Sequence, residues 1–253
     1  MPASIKLQNE YGDDLAVLFV ESQGTAPDAT EKFILEHKWL GNAAMWTNES
    51  PFRTGSNGLP NFALLSADGK VLAKGNHVSK SVREQIDEQI KLAKQGPADT
   101  PKKLKKAWKA FGKGQIAKAI DEAKKAGSDP ELSAEAEMTV IEFQNRTEAR
   151  LDRVQWLVDN GFASRGEDLL KDLLKEVKGT TDLYDRAAEM QASLESEELA
   201  REIKASELLE KTLAKLYDDA KNPKLFKKVA KIAEEFSGTK AAERASHIAS
   251  LGA

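Results

Sequence analysis

The chain of 253 residues contains no cysteine. Disulfides, thiolate catalysis and cysteine-ligated metal are excluded with it. The compartment stays open, since a cysteine-free chain persists in oxidising and reducing surroundings alike. Histidine is scarce: His37, His77 and His247 lie in separate segments, none at the i,i+4 spacing of a metal pair, so neither a metal site nor any other cofactor is expected. No Gly-rich phosphate loop, nucleophile elbow or kinase-type set occurs, and no catalytic residue is nominated on motif grounds. Neighbouring carboxylates such as Asp13-Asp14, Asp218-Asp219 and Glu234-Glu235 are adjacent in sequence only, whereas acid–base work needs two groups converging in a cleft. Long apolar runs are missing as well. The longest in the strand-rich part, Leu15 to Val20, is far short of a membrane span. Residues 1–20 lack a basic start and an apolar segment of signal length. The expectation is cytoplasmic if the chain is complete, and periplasmic or secreted if a leader has been removed.

What is present is ordinary globular material, 40% hydrophobic and 31% charged, enough for a core in each of two domains. The formal net charge of −3 is unevenly spread. From Thr100 to Gly127 every charged side chain is lysine except Asp121 and Glu122, and the rest of the chain is acidic. Lys102, Lys105, Lys106, Lys109 and Lys113, with Lys103, surround a helical stripe of Leu104, Trp108 and Phe111 that faces inward. A nucleic-acid site calls for arginine and exposed aromatics on such a face, and neither is there, which argues against nucleic acid. An acidic protein partner, an intramolecular contact with the acidic helices, or a plain solvated face are the readings left for these lysines.

In chain order, Ile5 to Leu7 reads as a short edge strand and Leu15 to Val20 as a central strand covered on both faces. A loop from Ser22 to Asp28 leads into a helix over roughly Ala29 to His37, with Asp28 and Glu31 spaced as a capping box. Ala43 to Thr47 reads as a second central strand and Asn48 to Asn57 as a loop. Then come two apolar runs, Phe62 to Leu65 and Val71 to Ala73, separated by Asp68-Gly69 and introduced by Pro60, the pattern of a tight hairpin. Ser81-x-x-Glu84 opens a helix with Val82, Ile86, Ile90 and Ala93 on one stripe. Beyond Gly96-Pro97-Ala98-Asp99 nearly everything is helical. A start is expected at Asp99-Thr100-Pro101, and two helices follow up to Asp129-Pro130. Further helices span Glu131 to Asn160, Ser164 to Lys178 (with a Ser164-x-x-Glu167 box), Asp182 to Ala220, Pro223 to Phe236, and a last one ending near Leu251.

The strand, helix, strand, Pro60 hairpin and helix order resembles the thioredoxin fold, whose hairpin follows a cis-proline. The stretch from Leu104 to Pro130 and the ending Phe236-Ser-Gly-Thr-Lys-Ala-Ala-Glu-Arg-Ala resemble tetratricopeptide helical hairpins. The implied class is α/β plus all-α: a thioredoxin-like domain over 1–95, a linker over 96–100, and an all-helical repeat-like domain over 101–253, with a solenoid or an irregular bundle both open. In the thioredoxin family the positions matching Gly24-Thr25-Ala26-Pro27 carry Cys-x-x-Cys. Disulfide exchange is therefore unavailable here. The resemblance also implies a peptide-binding groove at Gly24, Thr25, Ala26, Pro27, Leu59 and Pro60, although Pro60 can equally serve only to shape the hairpin. The domain order resembles that of the chaperedoxins. The implied role is a redox-inactive adaptor or chaperone-like protein that holds a protein partner or unfolded client, with homo-oligomerisation left open. Two alternatives stand beside it. A glutathione transferase also joins a thioredoxin-like domain to a helical one, with Tyr11 or Ser22 as thiol-activating residue, but its acid-Ser pair is missing from Asn76 to Ser81. A structural subunit of a larger assembly is the other.

Overall fold

Helix α1 (Pro2–Tyr11) stands where the alternation Ile5-Lys6-Leu7 predicts an edge strand. The computed structural model describes residues 2–37, 39, 45–49, 58–67 and 69–252. It divides into two units, Met1–Ala98 and Asp99–Ala253.

In the first unit α1 is followed by a 3₁₀ turn (Gly12–Asp14), β1 (Leu18–Val20), α2 (Pro27–Glu36), β2 (Met45–Thr47), β3 (Phe62–Leu65), β4 (Val71–Gly75) and α3 (Lys80–Gln95). Strands β1 and β2 pair in parallel, Phe19 opposite Trp46. Strands β3 and β4 pair antiparallel, with an irregularity at Leu64/Leu65. Among the described residues these are two separate two-stranded sheets. The Leu59–Pro60 peptide bond is cis.

The expected thioredoxin-like α/β domain is thereby corrected. Helix takes 67% of the molecule and strand 6%, so it is mainly helical, and no mixed central sheet is assembled from the described strands. Local physics accounts for this. Helix α1 carries Ile5 into a cluster with Phe19 and Leu7 into another with Val82 and Ile86, so apolar residues two apart serve two cores instead of one strand face. Gln8, buried on the same helix, accepts the Val17 N–H at 2.9 Å. The run Leu15 to Val20 contributes only three strand residues. Phe19 is buried while Leu18 and Val20 are exposed on the opposite side, so β1 is not a central strand covered on both faces.

Smaller expectations shift too. Helix α2 starts at Pro27, and its Ala26 cap makes no side-chain hydrogen bond, so the Asp28–Glu31 box is not formed. Helix α3 is capped by Ser79, not Ser81, its Oγ accepting Val82 N–H at 3.4 Å. Ala93 faces solvent. The strand start at Ala43-Ala44, most of the Asn48 to Asn57 loop and Asp68 of the hairpin turn lie outside the described residues.

The second unit consists of α4 (Lys105–Phe111), α5 (Ile116–Ala126), α6 (Ser133–Asp159), α7 (Ala163–Glu176), α8 (Asp182–Leu194), α9 (Glu197–Asp218), α10 (Pro223–Glu235) and α11 (Lys240–Ser250). Consecutive helices pack together, except that α9 packs on α7 and α10 and barely on α8, and α11 returns to α9. Lengths run from 7 residues in α4 to 27 in α6, so the helices follow no fixed repeat length. Helix α6 shows why the pattern folds as it does: Ala136, Thr139, Phe143, Thr147, Leu151, Val154 and Val158 recur at three- and four-residue steps and are all buried. Its buried threonines return their hydroxyls to the helix, Thr139 to Glu135 O at 2.8 Å and Thr147 to Phe143 O at 2.7 Å, so neither leaves a polar atom unpaired.

The Asp182 to Ala220 expectation is corrected to two helices: the chain breaks at Glu195-Ser196, and Ser196 Oγ caps α9 by accepting Leu199 N–H at 3.4 Å. The Asp99-Thr100-Pro101 start is late, with a turn intervening before Lys105. Ser164 forms no box with Glu167, and its hydroxyl lies 3.0 Å from that of buried Ser206. Gly161 ends α6 at a φ of +75°, and a Cβ there would come within 2.7 Å of the Lys240 carbonyl, so only glycine fits between α6 and the start of α11.

Candidate functional site

The residues named from sequence are placed as follows. The Gly24–Pro27 loop is closed on itself: the Glu21 carboxylate accepts N–H bonds from Gln23 at 2.7 Å, Gly24 at 3.0 Å and Thr25 at 3.2 Å. These bonds, that of Gln23 foremost, hold the Glu21 carboxyl below the usual glutamate range. Pro27 is the first residue of α2. The amides a bound peptide would use at Gly24 and Thr25 are thus already satisfied. Leu59 and Pro60 are exposed, and among the described residues no hydrogen bond joins them to the 24–27 loop. Tyr11, the alternative thiol activator, donates to Asp87 at 2.9 Å, and burial followed by that bond pushes its hydroxyl pKa up, the wrong direction for activating a thiol.

Lys102, Lys105, Lys106, Lys109 and Lys113 are all exposed around α4, which buries Ala107, Trp108 and Ala110. Among the described residues none of the five lies in an ion pair, whereas Lys103 meets Asp129 at 2.8 Å. The aromatic neighbours are engaged internally. Phe143 lies 4.9 Å from Trp108 and 4.3 Å from Phe111, and the Arg146 guanidinium stands 5.2 Å over Trp108. The lysines form a solvated face with no aromatic platform.

The feature with shape and chemistry together lies on α6 and α8. Asp152, Gln155, Trp156 and Asp159 of α6 face Arg186, Glu189 and Met190 of α8 across an open groove of about 470 Å³. The core stripe of α6 fixes its rotation, which turns Trp156 outward, 53% exposed. Arg186 is held by Glu148 and, at 2.6 Å, by Asp152. Gln155 donates to Asp159 at 2.9 Å, which leaves the Asp159 charge uncancelled, and Glu189 is exposed. The groove therefore joins an indole, a thioether and surplus negative charge. It holds no nucleophile–base pair. Such a surface suits a side chain with an apolar stem and a cationic end.

Trp156 is backed by a fixed stack. Its ring lies 6.0 Å from Phe162, and the Arg244 guanidinium sits 3.5 Å from the Phe162 centroid. Arg244 also donates to Gly161 O at 2.5 Å and to Glu210 at 3.3 Å, while Arg165 pairs with Glu210. Burial pulls the Arg244 pKa down, with Glu210 acting against it. Deeper still, buried Glu202 of α9 accepts the Lys240 and Ala241 N–H groups at 2.7 and 2.8 Å and so caps α11 from outside that helix.

Sequence reasoning missed this groove. A signal was available, because α6 carries large apolar residues off its core stripe: Met138, Ile141 and Trp156. Those residues give the helix a second side with apolar surface. Comparison with protein-family models, curated proteins and solved structures finds no match.

Proposed function

We propose that this protein is a redox-inactive polypeptide-binding module, and that the α6/α8 groove takes a segment of its partner carrying basic and apolar side chains. The observation that carries the reading is half-exposed Trp156 in a concavity shared with Met190 and with Asp152, Asp159 and Glu189. Exposed aromatics next to partly neutralised charge are where binding energy concentrates at protein surfaces. The adaptor role is in this way supported by the helical unit and not by the loop at Gly24. An unfolded client would be held here when it exposes lysine or arginine beside apolar residues. The test is calorimetric titration with lysine-rich and glutamate-rich peptides that share the same leucines. The lysine peptide binds, the glutamate peptide does not, and Trp156→Ala weakens binding roughly tenfold or more. Equal binding of the two peptides, or no change in the Trp156→Ala protein, would overturn the proposal.

A further inference from the structure

Resting on that reading, we infer that the occupant is a basic amphipathic helix laid along the outer face of α6, not an extended segment confined to the groove. Met138 is 71% exposed and Ile141 47%, and both lie on the same side of α6 as Trp156. Between them that side carries Asn145, Ala149 and Asp152, all exposed and none bulky. From Met138 to Trp156 the line is about 27 Å long at ~1.5 Å per residue, the length of a five-turn helix. Scattered exposed apolar residues need no explanation, but here Met138 with Ile141 at one end and Trp156 at the other share one helix face with only small or polar residues between, which gives an occupant two apolar anchors.

The backbone of α6 decides the form of the occupant. Its N–H and C=O groups are spent within the helix, so it offers no main-chain ladder to an extended peptide. A strand laid on Met138, Ile141 and Trp156 would press its own unpaired amides against apolar side chains. A helix satisfies its own amides and presents apolar residues at three- and four-residue steps.

Charge decides the composition. Arg146 is engaged by Glu142, Arg150 by Glu176, and Arg186 by Glu148 and Asp152. Asp159 and Glu189 remain over, against exposed Arg153. A second copy meeting this face with its own would set carboxylate against carboxylate, whereas lysines or arginines flanking an apolar stripe are complementary.

The experiment uses the full chain and three synthetic peptides, each roughly 18 residues long to match that length. The first has leucine and lysine at helical spacing, the second the same composition in strict alternation, the third leucine and glutamate at helical spacing. Fluorescence anisotropy reads affinity and circular dichroism reads helix gained on binding. The helical lysine peptide binds tightest and gains helix, and Met138→Ala, at the far end from the groove, weakens it severalfold. Tighter or equal binding of the alternating peptide, or of the glutamate peptide, overturns the inference. So does an unchanged affinity in the Met138→Ala protein. If Trp156→Ala then still abolishes binding, the groove reading survives and only the helix along α6 is lost. If neither variant changes anything, both fall.

Discussion

Among the described residues of 99–253 one large cluster of buried side chains runs from Leu104 to Leu194, and α9 to α11 bury Leu209, Leu213, Leu216 and Val229 outside it. Among the described residues of 2–98 the clusters are small, one built on Ile5 and Phe19, another on Leu7, Val82 and Ile86, with Ile34 and Leu35 of α2 buried outside both. Periodicity is the difference. A pattern held for the 27 residues of α6 fixes a face, a rotation and a set of neighbours at once. The strands of the first unit are three to five residues long, too short for their alternation to commit them to one sheet. Sustained amphipathic pattern specifies packing, whereas short apolar runs take whatever cover their neighbours provide.

The largest effect that separates the two regions is expected at Phe143. It has no exposed surface, stacks on Phe111 and meets Trp108 edge to face. Phe143→Ala should cost about 3–5 kcal/mol, the range for a large buried aromatic with no room to collapse. Phe19→Ala should cost clearly less, since Val17, Trp39 and Trp46 around it are only partly buried. Urea unfolding followed by segment-resolved hydrogen exchange compares the two. Equal costs would mean that the small cluster is as well packed as the large one, and the contrast drawn above would fail.

Next in size is Glu202. Glu202→Ala strips the part-buried Lys240 amide and the fully buried Ala241 amide of their acceptor, and the buried one alone should cost about 1–3 kcal/mol. Glu202→Gln keeps one carbonyl acceptor and should recover part of the loss. The matching change in the first unit is Ser79→Ala, which removes a single part-exposed cap at 3.4 Å and should cost about 1 kcal/mol. Unfolding free energies, with amide exchange of α11 as the local readout, decide it. If Glu202→Ala costs no more than Ser79→Ala, the buried cap adds nothing beyond an ordinary one.

The same contrast governs how much was legible from sequence. The boundaries of α6, the Asn222-Pro223 start of α10, which Asn222 caps at 3.0 Å, and the Phe62 and Val71 runs of the hairpin could be read from spacing and turn chemistry. The break at Ser196 was hidden because Glu195 to Glu198 suit a helix as well as a cap. Ile5 to Leu7 misled because two apolar residues at i and i+2 look the same whether they share a strand face or serve two cores. The groove was hidden for a different reason. Asp152 and Glu189 lie on helices separated by α7, and only tertiary packing brings them across from one another. The lysines of α4 could be read at once, being local, but locality is also why they say so little.

The smallest expected effect is at Glu21, where a half-exposed carboxylate gathers three loop amides in a solvated loop. Its pKa is lowered in the folded chain, so its contribution is complete above the pKa of an unfolded glutamate and disappears as pH falls through the lowered folded value. Glu21→Gln removes the charge at every pH. The variant should therefore lie slightly below the parent at neutral pH and converge with it in acid. Thermal unfolding across the acid range gives the curve, and the carboxyl carbon shift of Glu21 gives the site. If Glu21 titrates at the ordinary glutamate value, the loop amides do not hold it, and Gly24 and Thr25 would be open to a bound peptide after all. Glu202 makes the same kind of bond to backbone amides from inside the helical unit, where losing it leaves the buried Ala241 donor dry. At Glu21 water replaces the lost acceptor at once. The number of hydrogen bonds is thus a poor guide to what each carboxylate contributes, and burial of the donors is the better one.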